Sequence, residues 1–134
     1  MYILASYLGG GPMTFDQYIG MQYDGDGERV AAKIVIESHH CNPKGNINGG
    51  VLITLADNLA TGAAGRAYFA KTGEERFMVG VDLHAVMLAN QQGGSVRALA
   101  RPVRVGRRIM VIRTEVRGDG DRLLAEVTTT HVPT

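Results

Sequence analysis

The chain has 134 residues, of which 45% are hydrophobic, and its formal net charge is +1. This length fits one domain, and the composition is sufficient for a packed core, which excludes extended disorder. The balanced charge argues against general nucleic-acid binding, which requires a marked excess of Lys and Arg. No apolar run reaches the roughly 18–20 residues that span a bilayer, so we expect no membrane segment.

Residues 1–13 are interpreted as a poorly specified lead-in and residues 14–134 as a single domain. Gly and Pro at positions 9–12 interrupt any regular element, and Met13 is a second candidate for the start of translation. The lead-in lacks the basic start and apolar centre of a secretory signal. Cys41 is the only cysteine. No disulfide can therefore form within one chain, and the predicted location is the reducing cytoplasm.

The hydrophobic pattern predicts one strand, one long helix and four more strands, in that order. A short helix is expected over 14–21, a strand over 29–37, the long helix over 51–70, and strands over 77–88, 95–105, 108–116 and 122–132. The connections between the last four strands are short, which predicts that each strand is the antiparallel neighbour of the next. The predicted fold class is therefore α+β, an antiparallel sheet with a helix on one face.

The long helix carries a single ionisable residue, Asp57, between Val51 and Gly65. A helix that is apolar nearly all round is expected to be buried nearly all round, with the sheet wrapped around it. Spacings of four, three and four residues place Gly50, Thr54, Asp57 and Thr61 on one stripe. Asp57 is either a structural group that accepts hydrogen bonds from Thr61 and nearby backbone, or a functional carboxylate.

Gly49 and Gly50 open this helix, where the first amides have no partner within the helix and carry the positive end of its dipole. These amides are candidates for an oxyanion site, although paired glycines can also simply make a tight turn. The seven residues from Gly50 to Asp57 span about 10 Å of helix, whereas both groups must come within about 3 Å of one reacting carbonyl. If both act on one substrate, one of them comes from a second copy of the chain.

The segment from Asn42 to Asp57, NPKGNINGGVLITLAD, resembles the hotdog-fold acyl-CoA thioesterases, in particular the branch of phenylacetyl-CoA thioesterase and thioesterase superfamily member 2. The similarity runs in order from Ile34 onward, through VGVDL at 79–83 and Gly-Arg-Arg at 106–108. It implies the hotdog fold, an antiparallel sheet of five to six strands wrapped around one long central helix. It also implies homodimers or homotetramers with the active site at the subunit interface.

The activity that the resemblance implies is hydrolysis of acyl-CoA thioesters without a cofactor. The backbone amide of Gly49 or Gly50 and the side chain of Asn42 would polarise the thioester carbonyl. Asp57 of the partner subunit would activate the attacking water, which Thr61 would help to place. The implied substrate-binding residues are Asn48, Gly80, Val81, Arg107 and Arg108.

Two positions depart from the family pattern. Asn48 replaces the histidine that precedes the paired glycines, and Gly80 stands where human thioesterase superfamily member 2 carries a serine. These departures keep open a second interpretation, a non-catalytic protein that binds or senses acyl-CoA. A hotdog hydratase or dehydratase is a third interpretation, but it requires a histidine paired with an acid, and the central helix contains no histidine.

Other motifs have competing explanations. His39-His40-Cys41 resembles a metal-binding cluster, but neighbouring side chains point in opposite directions and no second cluster completes a ligand set, so no metal is expected. Cys41 as a nucleophile lacks a base that a third group orients.

A basic cluster lies around a predicted turn, at Arg101, Arg104, Arg107 and Arg108. Arginine forks are well suited to the phosphates of CoA. The same residues could instead form a solvated strand edge that resists pairing with other chains.

Overall fold

The structure of the protein is a computed structural model that describes residues 12–24 and 30–134. The elements are helices α1 (Phe15–Tyr18) and α2 (Gly49–Thr72) and strands β1 (Gln22–Tyr23), β2 (Ala31–Val35), β3 (Met78–Met87), β4 (Ser95–Val105), β5 (Met110–Arg117) and β6 (Leu123–Pro133). Nearly all of the predicted lead-in lies outside the described residues. The predicted helices and strands are confirmed to within a few residues, and β1 is an additional short strand.

The six strands form one sheet in the order β1-β2-β4-β5-β6-β3, and every pair in it is antiparallel. Helix α2 contacts β2 through β6, so the sheet curves around the helix. This arrangement is the predicted hotdog fold, with one long helix enclosed by an antiparallel sheet.

The prediction that every late strand neighbours the next was wrong for β3. This strand pairs with β6 at the far edge of the sheet and not with β4, the next strand along the chain. Segment 88–94 crosses the sheet end, and the amides of Leu88 and Ala89 both donate to the carbonyl of Leu124 on β6. Three strand spacings of about 4.8 Å must be crossed, and seven extended residues reach about 23 Å. A short connection therefore fixes the antiparallel direction of β3 and β4 without making them neighbours.

The crossing requires close approach of backbone segments. Gln91 Oε1 accepts a hydrogen bond of 2.9 Å from the amide of Asp119, in the turn between β5 and β6. A Cβ atom on Gly118 would overlap Gln91 and lie 2.9 Å from Leu124 Cδ1, so a larger residue here would displace the Gln91 side chain that binds the turn.

Helix α2 is buried on one face only. Its buried residues recur at three- and four-residue spacing: Leu52, Leu55, Ala56, Leu59, Ala60, Ala63, Ala64 and Tyr68. The opposite face, including Val51, Ile53 and Asp57, remains half-buried within the protomer. The expectation of burial nearly all round was therefore wrong for the single chain, because a single sheet covers only one side of the helix.

Strand β3 forms a long edge of the sheet with exposed apolar side chains. Val79, Val81, Leu83, Val86 and Met87 are all at least 39% exposed. A long apolar edge with free backbone groups is a template for pairing with another strand.

No helix among the described residues has the length and hydropathy needed to cross a membrane.

Candidate active site

The start of helix α2 is organised by Asn48. Its side-chain oxygen accepts a hydrogen bond of 2.8 Å from the amide of Gly50, and its backbone conformation is extended, as an N-cap residue requires. The Gly50 amide is therefore already engaged. In the described part of the chain the Gly49 amide has no hydrogen-bond acceptor, which leaves it as an unengaged donor at the helix start.

The loop before the helix folds back on itself and fixes Asn42. Its side-chain oxygen accepts hydrogen bonds from the amides of Lys44 at 2.9 Å and Asn46 at 3.1 Å, while its backbone amide donates to the carbonyl of Asn46. The side-chain oxygen is committed to this turn, so any contact of Asn42 with a substrate oxygen must come from its NH₂ group.

Asp57 projects from the half-buried face of α2 towards β3. The carboxylate accepts no hydrogen bond from the residues that the structure describes. The hydroxyl of Thr61 donates to the backbone oxygen of Asp57, at 2.9 Å, and not to the carboxylate. The interpretation of Asp57 as a structural group predicted a hydrogen bond from Thr61 to its carboxylate. The protomer does not contain that hydrogen bond. Thr61 can still accept a hydrogen bond from water through its free lone pair.

The two candidate catalytic groups lie near opposite ends of β3. A Cβ atom on Gly49 would lie 3.3 Å from Met87 Cε, at the last residue of the strand. A Cβ atom on Gly80, near the first residue, would lie 3.7 Å from Asp57 Oδ1. Helix α2 thus runs antiparallel to β3. The structure brings Asp57 and Gly80 together, and it does not bring Asp57 and Gly49 together within one protomer.

Four of the predicted substrate-binding residues, Gly80, Val81, Arg107 and Arg108, lie at this same end of β3, whereas Asn48 caps α2 near the Met87 end. Val81 is 57% exposed and sits at the register shift between Gly80 and Asp82. The pairing continues from Gly80 to His131 on β6 and from His131 to Met110 on β5. Met110 directly follows the turn that carries Arg107 and Arg108, and both arginines are exposed.

His131 is a site residue that the sequence analysis did not select. Its side chain is fully buried on the sheet face that contacts α2, and Nε2 lies 2.8 Å from Thr129 Oγ1. Burial lowers the pKa of His131 below its ordinary value of 6.5, and the negative charge of Asp57 partly offsets this effect. The sequence contains an indication of this burial. Thr129 and His131 continue the every-second-residue series of Ala125 and Val127, so alternation along the strand places all four on the inner face of the sheet.

The His39-His40-Cys41 motif has a structural explanation. His40 is buried, its Nδ1 accepts a hydrogen bond from the amide of Glu37, and its Nε2 lies 2.7 Å from the carbonyl oxygen of Ile19. Cys41 Sγ lies 3.6 Å from the Glu37 carbonyl. No group of three or more potential metal ligands occurs among residues 12–24 and 30–134. Both nitrogens of His40 are engaged, so it ties the loop to the α1 region.

Comparison with known proteins identifies the family. The sequence profile described as thioesterase superfamily matches residues 44–130, a range that contains α2, β3, β4, β5 and most of β6. The chain belongs to the thioesterase superfamily. This thioesterase-superfamily chain is 27% identical over 116 residues to the 1,4-dihydroxy-2-naphthoyl-CoA hydrolase of Escherichia coli, covering 87% of this chain and 82% of the relative.

Solved structures agree with the fold. A thioesterase from Haemophilus influenzae has a TM-score of 0.82 at 23% identity, with 98% of this chain and 87% of that chain covered. A Bacillus halodurans protein whose crystal structure contains CoA has a TM-score of 0.80 at 20% identity, with 98% and 83% covered. The hotdog fold and membership of a hydrolase family are thus established.

The buried His131 makes stability depend on pH. The unfolded chain takes up a proton on this imidazole near pH 6.5, whereas the folded chain resists it, so stability falls as pH decreases below 6.5 towards the folded pKa. We expect urea denaturation to show a loss of at most about 1.4 kcal/mol per pH unit from this group. In His131→Gln this contribution should be absent. The other histidines are common to both proteins, so parallel stability profiles between pH 7.5 and 5 would contradict the assignment.

Proposed function

We propose that this protein hydrolyses acyl-CoA thioesters to free acid and CoA, at sites shared between two subunits. The observation that carries the proposal is the placement of an unbonded carboxylate, Asp57, and an unbonded helix-start amide, Gly49, at opposite ends of an exposed edge strand. Membership of the thioesterase superfamily supports the reaction class. The CoA ester named for the Escherichia coli relative and the CoA in the Bacillus halodurans structure support the substrate class.

A two-fold dimer through β3 would assemble the site. Two copies of β3 that pair antiparallel bring the Gly80 end of one strand beside the Met87 end of the other. Asp57 then faces Gly49 of the partner subunit, and the symmetry repeats this arrangement once. The same pairing would satisfy the free edge of β3 and cover its exposed apolar side chains. It would also cover the half-buried face of α2.

The proposed reaction uses the two groups in sequence. A water oxygen attacks the thioester carbon as Asp57 accepts one of the water protons, and the carbonyl electron pair moves onto oxygen. The Gly49 amide of the partner subunit donates to this oxyanion, an interaction worth about 2.7–4 kcal/mol in known oxyanion sites. The carbonyl then re-forms, the C–S bond breaks, and the CoA sulfur receives the proton from Asp57. The products are the free acid and CoA, and the carboxylate is regenerated.

The basic cluster is proposed to bind the phosphates of CoA. Within the described chain, Arg101, Arg104, Arg107 and Arg108 are exposed and form no ion pair with an acidic residue. The turn that carries Arg107 and Arg108 adjoins Met110, which lies across β6 from Gly80. The free guanidinium groups of Arg107 and Arg108, at the Gly80 end of the sheet, are available for anionic ligands.

Removal of the Asp57 carboxylate tests the reaction directly. Asp57→Asn keeps the size of the side chain but cannot accept the water proton, so we expect kcat for thiol release from acyl-CoA to fall about 100-fold or more. Acyl-CoA binding should persist. Asp82→Asn, on the exposed outer side of β3, is the matched control and should retain wild-type rates. If the wild-type protein binds acyl-CoA but releases no thiol from any ester tested, it is a binding protein and not an enzyme.

Complementation tests the shared site. Gly49→Pro removes the amide hydrogen at the first helical position, where proline is compatible with a helix and Asn48 already has the extended backbone that precedes proline. Neither this variant nor Asp57→Ala should be active alone. Random mixing of the two chains creates one intact site in each heterodimer, which predicts about one quarter of the wild-type activity.

Gly49→Ala is the control for this experiment, because it retains the amide and its Cβ meets the same Met87 methyl group. It should remain active without complementation. An active monomer in sedimentation velocity, or mixtures that stay inactive although heterodimers are isolated, would contradict the shared site.

Replacement of Arg107 and Arg108 by Ala tests the phosphate contacts. Loss of charge-assisted hydrogen bonds should raise KM for acyl-CoA roughly tenfold and leave KM unchanged for an N-acetylcysteamine thioester that lacks the nucleotide. Arg113→Ala is the control, because Arg113 already faces Glu126, at 3.8 Å, on the outer side of the sheet. Equal changes for both substrates would assign Arg107 and Arg108 to a solvated edge.

A further inference from the structure

Three buried polar side chains interrupt the apolar inner face of the sheet. Thr114, Thr129 and His131 are each at most 1% exposed, whereas their neighbours on this face of β5 and β6 are Met110, Ile112, Val116, Ala125 and Val127. Buried polar groups are destabilising unless they are hydrogen-bonded. His131 Nδ1 has no hydrogen-bond partner among the described residues. A fully buried imidazole with one unengaged nitrogen requires an explanation.

The unengaged nitrogen faces the space that Gly80 leaves beside Asp57. His131 is paired with Gly80 across β6 and β3. A Cβ atom on Gly80 would lie 3.8 Å from His131 Nδ1 and 3.7 Å from Asp57 Oδ1. Both atoms therefore lie within ordinary contact distance of one point that is free of side chain. A space bounded by a carboxylate oxygen and a ring nitrogen has the polarity that an interior water needs.

The electrostatics favour a neutral ring with its hydrogen on Nδ1. Burial keeps the imidazole uncharged by lowering its pKa, and Asp57 is the one described charged group that acts on it. The adjacent residues on the flanking strands, Gly80 and Met110, are uncharged. The hydroxyl of Thr129 can donate to Nε2, which leaves the N–H on Nδ1, directed towards the carboxylate. A donor facing a carboxylate is more stable than a lone pair facing it.

We propose that His131 is a positioning residue that orients the Asp57 carboxylate through one water, held between Nδ1 and Oδ1 in the space beside Gly80. The Nδ1–H donates to this water, and the water donates to Oδ1. Asp57 Oδ2 is then left to accept the proton from the separate, attacking water. His131 stays neutral throughout and exchanges no proton with substrate. This inference rests on the proposed thioesterase function and adds a residue from the sheet to it.

Gly80→Ala is the sharpest kinetic test. The new methyl group would make only ordinary contacts, so the protein should fold, but it would lie beside both polar groups and displace a water held between them. We expect kcat for acyl-CoA hydrolysis to fall about tenfold or more with KM within twofold of wild type, as for a misdirected catalytic group. His131→Leu should have the same effect, and His131→Gln, whose carboxamide can still donate, should retain most of the rate. Gly65→Ala is the control, because its Cβ meets only Arg76 and Met78, at 3.9 Å.

A second measurement does not depend on turnover. In protein with ¹⁵N-labelled histidine, the His131 ring should be neutral with its hydrogen on Nδ1. Asp57→Asn should lower the pKa of His131 further, because the negative charge that raises it is removed. A hydrogen on Nε2, or a His131 pKa unchanged by Asp57→Asn, would overturn the proposal.

The two measurements separate failure of the inference from failure of the function. If Asp57→Asn abolishes hydrolysis while Gly80→Ala and His131→Leu keep the wild-type kcat, the thioesterase assignment stands and the role of His131 is wrong. If the wild-type protein hydrolyses no acyl-CoA while the ¹⁵N spectra show the coupling, the proposed function fails. The positioning role of His131 in catalysis fails with it, and the His131–Asp57 pair is then a structural one.

Discussion

Burial of helix α2 against a curved sheet is the constraint on which the rest of the molecule depends. The helix supplies eight buried residues to the core, and strands β2 to β6 pack against it. Because a single sheet covers only one side of a helix, the opposite face stays half-buried and the strand beside it, β3, keeps a free edge. The half-buried face of α2 and the free edge of β3 are adjacent, and both contain apolar side chains. The surface that the protomer leaves incomplete is thus the surface where Asp57 lies.

Most of the fold could be predicted from the sequence because its elements differ clearly in hydrophobic period. Alternating strands and the apolar helix from Gly49 to Thr72 were found to within a few residues. The position of β3 could not be predicted in the same way. The short connection between β3 and β4 makes these strands run in opposite directions, but it does not determine which edge of the sheet β3 joins. That choice depends on how far segment 88–94 reaches across the sheet end, a property of tertiary curvature.

The candidate site could be predicted only in the part that residues close together in the sequence form. Asn48 and the paired glycines act within one turn of chain, so their capping geometry follows from local sequence. His131 lies 74 positions from Asp57 along the chain, and no spacing rule connects a strand at the C-terminus with a carboxylate on the central helix. The central helix contains no histidine that could pair with Asp57. The sheet face opposite the helix supplies the histidine, because β6 carries polar residues at positions that alternation assigns to the core.

The crossing of segment 88–94 has a consequence for the order of folding. Strands β4, β5 and β6 are joined by tight turns, so their contacts are local and form at low entropic cost. The partners of β3 are remote, as in the pair of Met78 with Pro133, so this strand can dock only after the meander exists. We therefore expect β3 to be among the last strands to acquire its native place. The edge proposed to recruit a second subunit would be presented only by a chain whose core is already formed, which limits association between incompletely folded copies.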